Sequence, residues 1–258
     1  MPQPPETPPE APPTAPGAAR PARRRRPVLL IALPAVLGVA ALAGGATLAV
    51  LDLTRKPTAA EIEKAGATEL AARWKRLPAG RIFPMAGGDG SSEGVGTPAT
   101  PYRRLGIAVP VPCADGLDRE IAAVLARYGC RTVLRATYSG GAGTLAGTLG
   151  VAVLPGTDQA TNAISALGDA GTRHGVRALQ VGGTTAQSFD DKARRLFAVD
   201  GNRTPYVFFR TAGWTDGRGG IAKDDLDEDF AFSKAALYDL MEKLRESNDP
   251  CKVEGVRC

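Results

Sequence analysis

The sequence predicts an α+β fold, a mostly antiparallel sheet with helices on one face, preceded by a single transmembrane helix and a disordered Pro-rich tail. Three observations carry that expectation. Residues 27–51 read "PVLLIALPAVLGVAALAGGATLAVL", without one charged side chain, directly after "ARRRR". Residues 1–26 hold nine prolines and little that is apolar beyond alanine. From about Leu105 onward, stretches alternating with period two are interleaved with stretches of helical period.

The N-terminal tail cannot bury enough surface to offset its chain entropy, so disorder with polyproline II character is expected over 1–26. The apolar segment that follows has 25 residues. At ~1.5 Å rise per residue it exceeds the ~30 Å hydrocarbon core of a bilayer, so a tilted membrane span fits 27–51. Pro34, Gly38, Gly44 and Gly45 lie inside it. Lipid tolerates them because leaving the helix exposes unpaired backbone groups. The bilayer is therefore the partner expected of residues 27–51.

Five arginines precede the span, whereas only Arg55 and Lys56 follow it. The positive-inside rule then places the N-terminus in the cytoplasm and the C-terminal domain outside it, as a single-pass protein of the cell membrane. "ALA" at 41–43 followed by Gly44 also satisfies a signal-peptidase site, so cleavage after Ala43 stays open. The long polar head and the apolar run continuing to Leu53 favour an uncleaved anchor. Residues 57–258 are extracytoplasmic on either reading.

The formal charge of +5 invites a nucleic-acid reading until the charge is located. Residues 1–26 hold five arginines against two glutamates, and Asp52, Arg55 and Lys56 add one more positive charge. That leaves 25 of the 32 basic and 24 of the 27 acidic side chains to residues 57–258. A nucleic-acid binder carries its basic face on the folded domain. No nucleic-acid partner is expected here.

After the span, Thr58 and Glu61 in "TAAE" form a capping box that opens a helix to about Arg76. Ile62, Leu70 and Trp74 give it only a partial apolar side, the pattern of a solvated juxtamembrane stalk. Leu77–Arg104 is dense in Gly and Pro and reads as a linker, which completes a juxtamembrane region over 57–104. The extracytoplasmic domain is expected over 105–250, with a C-terminal Cys loop over 251–258.

Within that domain, "CADGLDREIAAVLARYGC" is amphipathic and helical, and "RTVLRATYS" is rich in strand formers. "GGAG" turns the chain into "TLAGTLGVAVLP", whose Leu145, Leu149, Val151 and Val153 share one face. "TDQATNAISALG" is a helix with Thr157 as N-cap and Gly168 as stop. "VRALQVGG" reads as a strand, and "RRLFAVDGNRTPYVFFRTAG" as a hairpin turning at Asp200–Gly201–Asn202. "DFAFSKAALYDLMEKLRES" closes the domain with a helix whose inner side is Leu237, Leu240, Met241 and Leu244.

All four cysteines, Cys113, Cys130, Cys251 and Cys258, follow the apolar segment. An even count in an oxidising compartment points to disulfides. Zinc would want a close Cys pair or several histidines, and His174 is the only histidine. Four cysteines allow three pairings. A helix over 116–128 would separate Cys113 from Cys130 by about 20 Å, far beyond the ~4.4–6.8 Å between bonded Cα atoms. With Asp118 as N-cap the helix shortens to about 15 Å, and the residues before it can fold back along it. The pairs expected are Cys113–Cys130 and Cys251–Cys258.

The basic-flanked anchor, the run "ARWKRLPAGRIFP" and the pair "GCRTVLRATY" and "GVAVLP" resemble uncharacterised single-pass membrane proteins of actinomycetes. The similarity covers most of residues 60–215. It does not extend to the C-terminal "CKVEGVRC" or the acidic run before it. The resemblance implies the same topology and the Cys113–Cys130 pair, and it implies no catalytic residue.

Catalytic signatures fail on context. "GSSEG" places Ser92 in a nucleophile-elbow pattern, but in a Gly-rich linker instead of between a strand and a helix. "GAGTLAG" leads into a strand, whereas a phosphate cradle must open a helix. Asp225, Asp227 and Asp229 match the first ligands of a calcium loop, yet Phe230 and Ala236 stand where glycine and glutamate are required. They remain candidates for a looser calcium contact. Trp214, between Arg210 and Arg218, is a candidate binding hot spot. No cofactor is expected. The reading is a membrane-anchored binding or assembly module for an unknown protein or cell-envelope ligand. The alternative is a hydrolase using carboxylates such as Asp190, Asp191 or Asp216.

Overall fold

The computed structural model describes residues 56–88, 100–140, 143–218, 226–245, 247, 249–254 and 256. The tail 1–26, the apolar segment 27–51 with Ala43, and Ser92 lie outside the described residues. Among the described residues, no helix is long and apolar enough to cross a membrane.

Six strands form one antiparallel sheet in the order β1-β2-β3-β4-β6-β5. β3 (Thr132–Gly140) and β4 (Leu145–Val153) are the expected hairpin, in register along all nine residues. β5 (Leu196–Asp200) and β6 (Tyr206–Trp214) form the second hairpin around residues 200–202, and β6 pairs with β4. β1 (Ala86–Gly87) and β2 (Tyr102–Ile107) extend the sheet beyond β3. β1 and the first half of β2 lie where composition marks a linker. Ile82 and Phe83, from the same stretch, are fully buried in the core. The compact unit accordingly spans Pro57–Cys258 and does not begin at residue 105.

The sheet is α+β as expected, but helices cover both of its faces, not one. Leu134, Ala136, Tyr138, Leu149, Val151, Val153, Tyr206 and Phe208 point to the first face. There they meet α1 (Ala59–Arg76), α2 (Ala79–Ile82) and α7 (Ala231–Lys243). Val133, Ala152, Val207 and Phe209 point to the second face, against α3 (Cys113–Gly116), α4 (Arg119–Arg127) and α5 (Thr157–Leu167). Strands clothed on both sides lose the apolar–polar alternation of a half-exposed sheet, and every residue of β6 is buried. Each large apolar side chain so enclosed contributes about 1.5–3 kcal/mol relative to exposure.

α1 carries the predicted capping box, but it is not a solvated stalk. Gly66, Glu69 and Leu70 are buried, and Tyr206 donates its hydroxyl to the Leu70 carbonyl at 2.5 Å. Glu69 tolerates 5 % exposure because Arg73 and Arg76 reach its carboxylate at 2.5 Å and 3.2 Å. Arg73 also donates to the Arg245 carbonyl at 2.6 Å, tying α1 to the end of α7.

"VRALQVGG" is not a strand. Val176 makes only an isolated bridge to Leu117, and the segment beyond it crosses over the second face. Its backbone is held by side chains: Leu179 N–H donates to Thr148 Oγ1 at 3.0 Å, and Thr137 Oγ1 donates to the Leu179 carbonyl at 2.6 Å. Glycines make the approach possible. A Cβ at Gly150 would meet Val176, and one at Gly213 would collide with the Ala193 carbonyl oxygen.

Cys113 and Cys130 are bonded, with their Cα atoms 6.3 Å apart. Asp118 is the N-cap of α4, the position that makes this bond reachable. Cys251 is also disulfide-bonded, and Cys258, its expected partner, lies outside the described residues. α5 begins at Thr157, with Gly156 as its N-cap in place of Thr157, and it stops at Gly168, whose φ is +45°.

Candidate binding groove

The α3–α4 corner and the crossing segment meet on the second face, and a groove of about 640 Å³ opens between them. Its floor is Leu117 with small α4 residues, Ala122, Ala123 and Ala126. These small side chains leave the volume open, and the disulfide ties the start of α3 to the residues just beyond α4. Backbone bonds fix the opposite wall. Asp118 N–H donates to the Gly175 carbonyl at 2.9 Å, and Arg177 N–H to the Gly116 carbonyl at 3.0 Å.

The rim is a chain of alternating charges. Asp118 does not cap α4 with its carboxylate. It accepts two bonds from Arg194, both at 2.9 Å, and one from the Gly175 N–H at 2.8 Å. Burial pushes the Asp118 carboxyl up, but these hydrogen bonds and the Arg194 charge outweigh it, and the group lies below the usual carboxylate range. Arg194 also reaches Asp191 at 3.3 Å. Asp191 accepts from Arg177 at 3.0 Å and from the Ala178 N–H at 2.7 Å. His174 stands 3.7 Å from Glu120 at the outer edge.

Apart from Asp191, named among the candidate carboxylates, none of these residues is marked as a site by local sequence pattern. The Asp118–Arg194 pair spans 76 residues, and only the tertiary fold brings it together. The bidentate fork of Arg194 is the geometry that suits arginine, and not lysine, for such a partly buried pair.

The residues singled out by sequence fall elsewhere. Trp214 is 8 % exposed and packs edge-on against Phe230, with ring centroids 4.8 Å apart. It is core, not a hot spot. Arg210 is 4 % exposed and pairs with Asp227 at 2.7 Å, while its Nε is buried without a partner among the described residues. Arg218 is exposed and folds back on Asp216 at 2.9 Å. The structure thus brings Arg210 and Asp227 together, but it does not assemble Trp214, Arg210 and Arg218 into one surface.

Asp227 and Asp229 lie in α6 (Leu226–Asp229), and Asp225 lies outside the described residues. Asp227 is engaged by Arg210 at 2.7 Å. Among the described residues no group of three or more His, Cys, Asp or Glu side chains is placed to hold a metal ion.

Of the acids considered for catalysis, Asp190 accepts from the Lys192 and Ala193 N–H groups, Asp191 is in the rim, and Asp216 is paired with Arg218. One further acid stands out. Burial raises Asp200 above the ordinary carboxylate range, against the lowering effect of Arg210 and Lys234, and the Asp227 charge adds to the rise. No family model, curated protein or solved structure matches this chain.

Proposed function

We propose that the chain is a single-pass, membrane-anchored binding or assembly module, its domain outside the cytoplasm and its ligand an extracytoplasmic protein or cell-envelope component. The groove beside α4 is its recognition face. The observation that carries this reading is the combination of an apolar floor with a rim whose half-buried acid is already ionised and doubly held by arginine. Such an acid is not poised to give up a proton near neutral pH, because a general acid needs a raised pKa. An apolar trough edged by the paired charges of Asp118, Arg194, Asp191 and Arg177 suits recognition instead.

The test is crosslinking in native membranes, followed by purification through a tag on the N-terminus. One recurrent partner is expected, retained by Trp214→Phe and lost when Ala123→Arg or Ala126→Arg fills the trough. A partner insensitive to both arginine substitutions would remove the groove from the proposal.

The alternative, a hydrolase using carboxylates, has one observation in its favour: Asp200 is raised by burial and senses Asp227. On that reading Asp200→Asn would abolish a hydrolytic activity while leaving partner capture intact. As a binding module, the Asp200→Asn protein captures its partner normally and is more stable at neutral pH. A carboxyl with a raised folded pKa favours folding below its unfolded pKa, and that contribution is lost as pH rises through the folded value. Asparagine cannot ionise and escapes the loss.

A further inference from the structure

A second groove, of about 900 Å³, lies between the β2–β3 pair and the loop 183–187, and it shares no lining residue with the groove beside α4. Arg103 and Ser139 are directly opposed across the two strands, so their side chains rise from the same face of the sheet. Thr185 and Gln187 line the opposite wall.

The chemistry of this lining is one-sided. None of its described residues is acidic. Arg103 has no counter-ion among the described residues, unlike Arg177, Arg194, Arg210 and Arg218, each paired with a carboxylate. The Ser139 and Thr185 hydroxyls and the Gln187 side-chain amide make no hydrogen bond within the described residues. A guanidinium beside three hydrogen-bonding side chains, all unengaged among the described residues, is therefore held over an open trough whose described lining has no acid.

The loop that presents two of them is fixed in advance. Thr184 Oγ1 donates to the Val181 carbonyl at 2.7 Å and accepts from the Ala186 N–H at 3.2 Å. Gln180 Nε2 donates to the Gln187 carbonyl at 3.0 Å. Ala186 and Phe189 pin the segment to the sheet, packed with Ala146 and Ala193. A wall whose ordering is complete before a ligand arrives saves that ligand the entropic cost of ordering it.

We propose that this groove binds an anionic ligand with a hydroxyl-bearing body. Arg103 takes the acid group, and Ser139, Thr185 and Gln187 bond the hydroxyls. A guanidinium fork accepts a carboxylate or a phosphate in the same bidentate manner. The two sources of the anion therefore share one recognition chemistry. The proposal does not depend on the groove beside α4.

The test uses the full-length protein in lipid nanodiscs, with glucuronate, inorganic phosphate and neutral glucose as probes at equal concentration. Affinity is read by calorimetry, and hydrogen–deuterium exchange locates the binding. Glucuronate, phosphate or both are expected to slow exchange in peptides covering 100–106 and 181–188, with glucose leaving them unchanged. Binding of glucuronate without phosphate assigns a carboxylate ligand, and the reverse assigns a phosphate ligand. Arg103→Gln is expected to weaken binding by about tenfold or more, the loss of a charge-assisted bond. Arg103 is exposed, so this variant should unfold at the wild-type midpoint. Ser139→Ala is a second variant expected to weaken glucuronate binding. Three results would overturn the proposal: no protection by either anion, protection that survives Arg103→Gln, or glucose acting as well as glucuronate.

Discussion

At the residue scale, Asp118 illustrates how one side chain can serve the fold and the groove together. Its backbone starts α4, while its carboxylate leaves the helix and joins Arg194 and the Gly175 N–H. Asp118→Asn removes the closer of the two carboxylates that face Arg194, whose side chain is 8 % exposed, and leaves only Asp191 at 3.3 Å. Breaking a fully buried pair costs about 3–5 kcal/mol, and partial solvent access here brings the expected loss to about 2–3 kcal/mol. The pH dependence follows from the lowered carboxyl. Its stabilisation is complete above the unfolded value near ~3.9 and is lost as pH falls through the lower folded value. Urea unfolding at pH 7 should therefore separate wild type from Asp118→Asn, and the gap should narrow progressively below about pH 4. A gap independent of pH would mean that the ion pair is not its source. Trp214 tests the core in the same way. Trp214→Ala should cost about 3–5 kcal/mol, the penalty of truncating a buried aromatic, whereas Trp214→Phe should cost much less. The sequence points to Asp118 as N-cap only through the reach of the Cys113–Cys130 bond. It cannot mark Arg194 as its partner, because ion pairs across 76 residues leave no periodic trace. Trp214 stands beside Arg210 in a stretch that reads as a loop, and only the β4–β6 register puts its ring into the core.

At the element scale, the α3–α4 corner depends on its disulfide. The bond closes a separation of 17 residues, and a loop of that length corresponds to about 3 kcal/mol on the chain-entropy account. The Cys113→Ser, Cys130→Ser double variant should lose roughly this much stability. Hydrogen exchange should then rise most in peptides covering 113–128, since that wall of the groove loses its clasp. Uniform exchange across the sheet would instead place the bond's contribution in global stability alone. The crossing segment has a different dependence. Gly213→Ala drives a methyl group into the Ala193 carbonyl, so the segment must lift from the sheet. The expected cost is about 1–3 kcal/mol, typical of overpacking a close contact. The two hairpins, α4, α5, α7 and the capping box of α1 were legible because each is set by local period or local hydrogen bonding. β1, β2 and the core role of α1 were not. β1 has only two residues, too few for a period, and the buried side of α1 carries Gly66, Glu69 and Arg73, which break its apolar stripe. The crossing segment has strand-like composition, but threonine hydroxyls from the sheet, not neighbouring strands, satisfy the bonds of Leu179.

At the scale of the whole molecule, two independent features of the chain bear on its compartment. Five arginines stand in residues 20–26, directly ahead of the apolar segment 27–51, against Arg55 and Lys56 just after it, a bias that would keep the N-terminus in the cytoplasm under the positive-inside rule if that segment spans a membrane. The cysteines all follow that segment, and Cys113, Cys130 and Cys251 are all disulfide-bonded, the state favoured outside the cytoplasm. A protein oriented the other way would expose these bonds to a reducing pool. The expected outcome is that the full-length chain resists alkaline extraction from membranes. In right-side-out vesicles an added protease should remove a C-terminal tag and spare an N-terminal one. A non-reducing gel should show a mobility shift on adding thiol, arising entirely from the protease-accessible part. Cleavage after Ala43 predicts a different pattern, in which the N-terminal tag is absent from the mature protein and the remainder is released by alkali. Protection of the C-terminal tag with loss of the N-terminal one would invert the topology. The proposed partner would then have to be cytoplasmic, and the disulfides would need an explanation other than compartment.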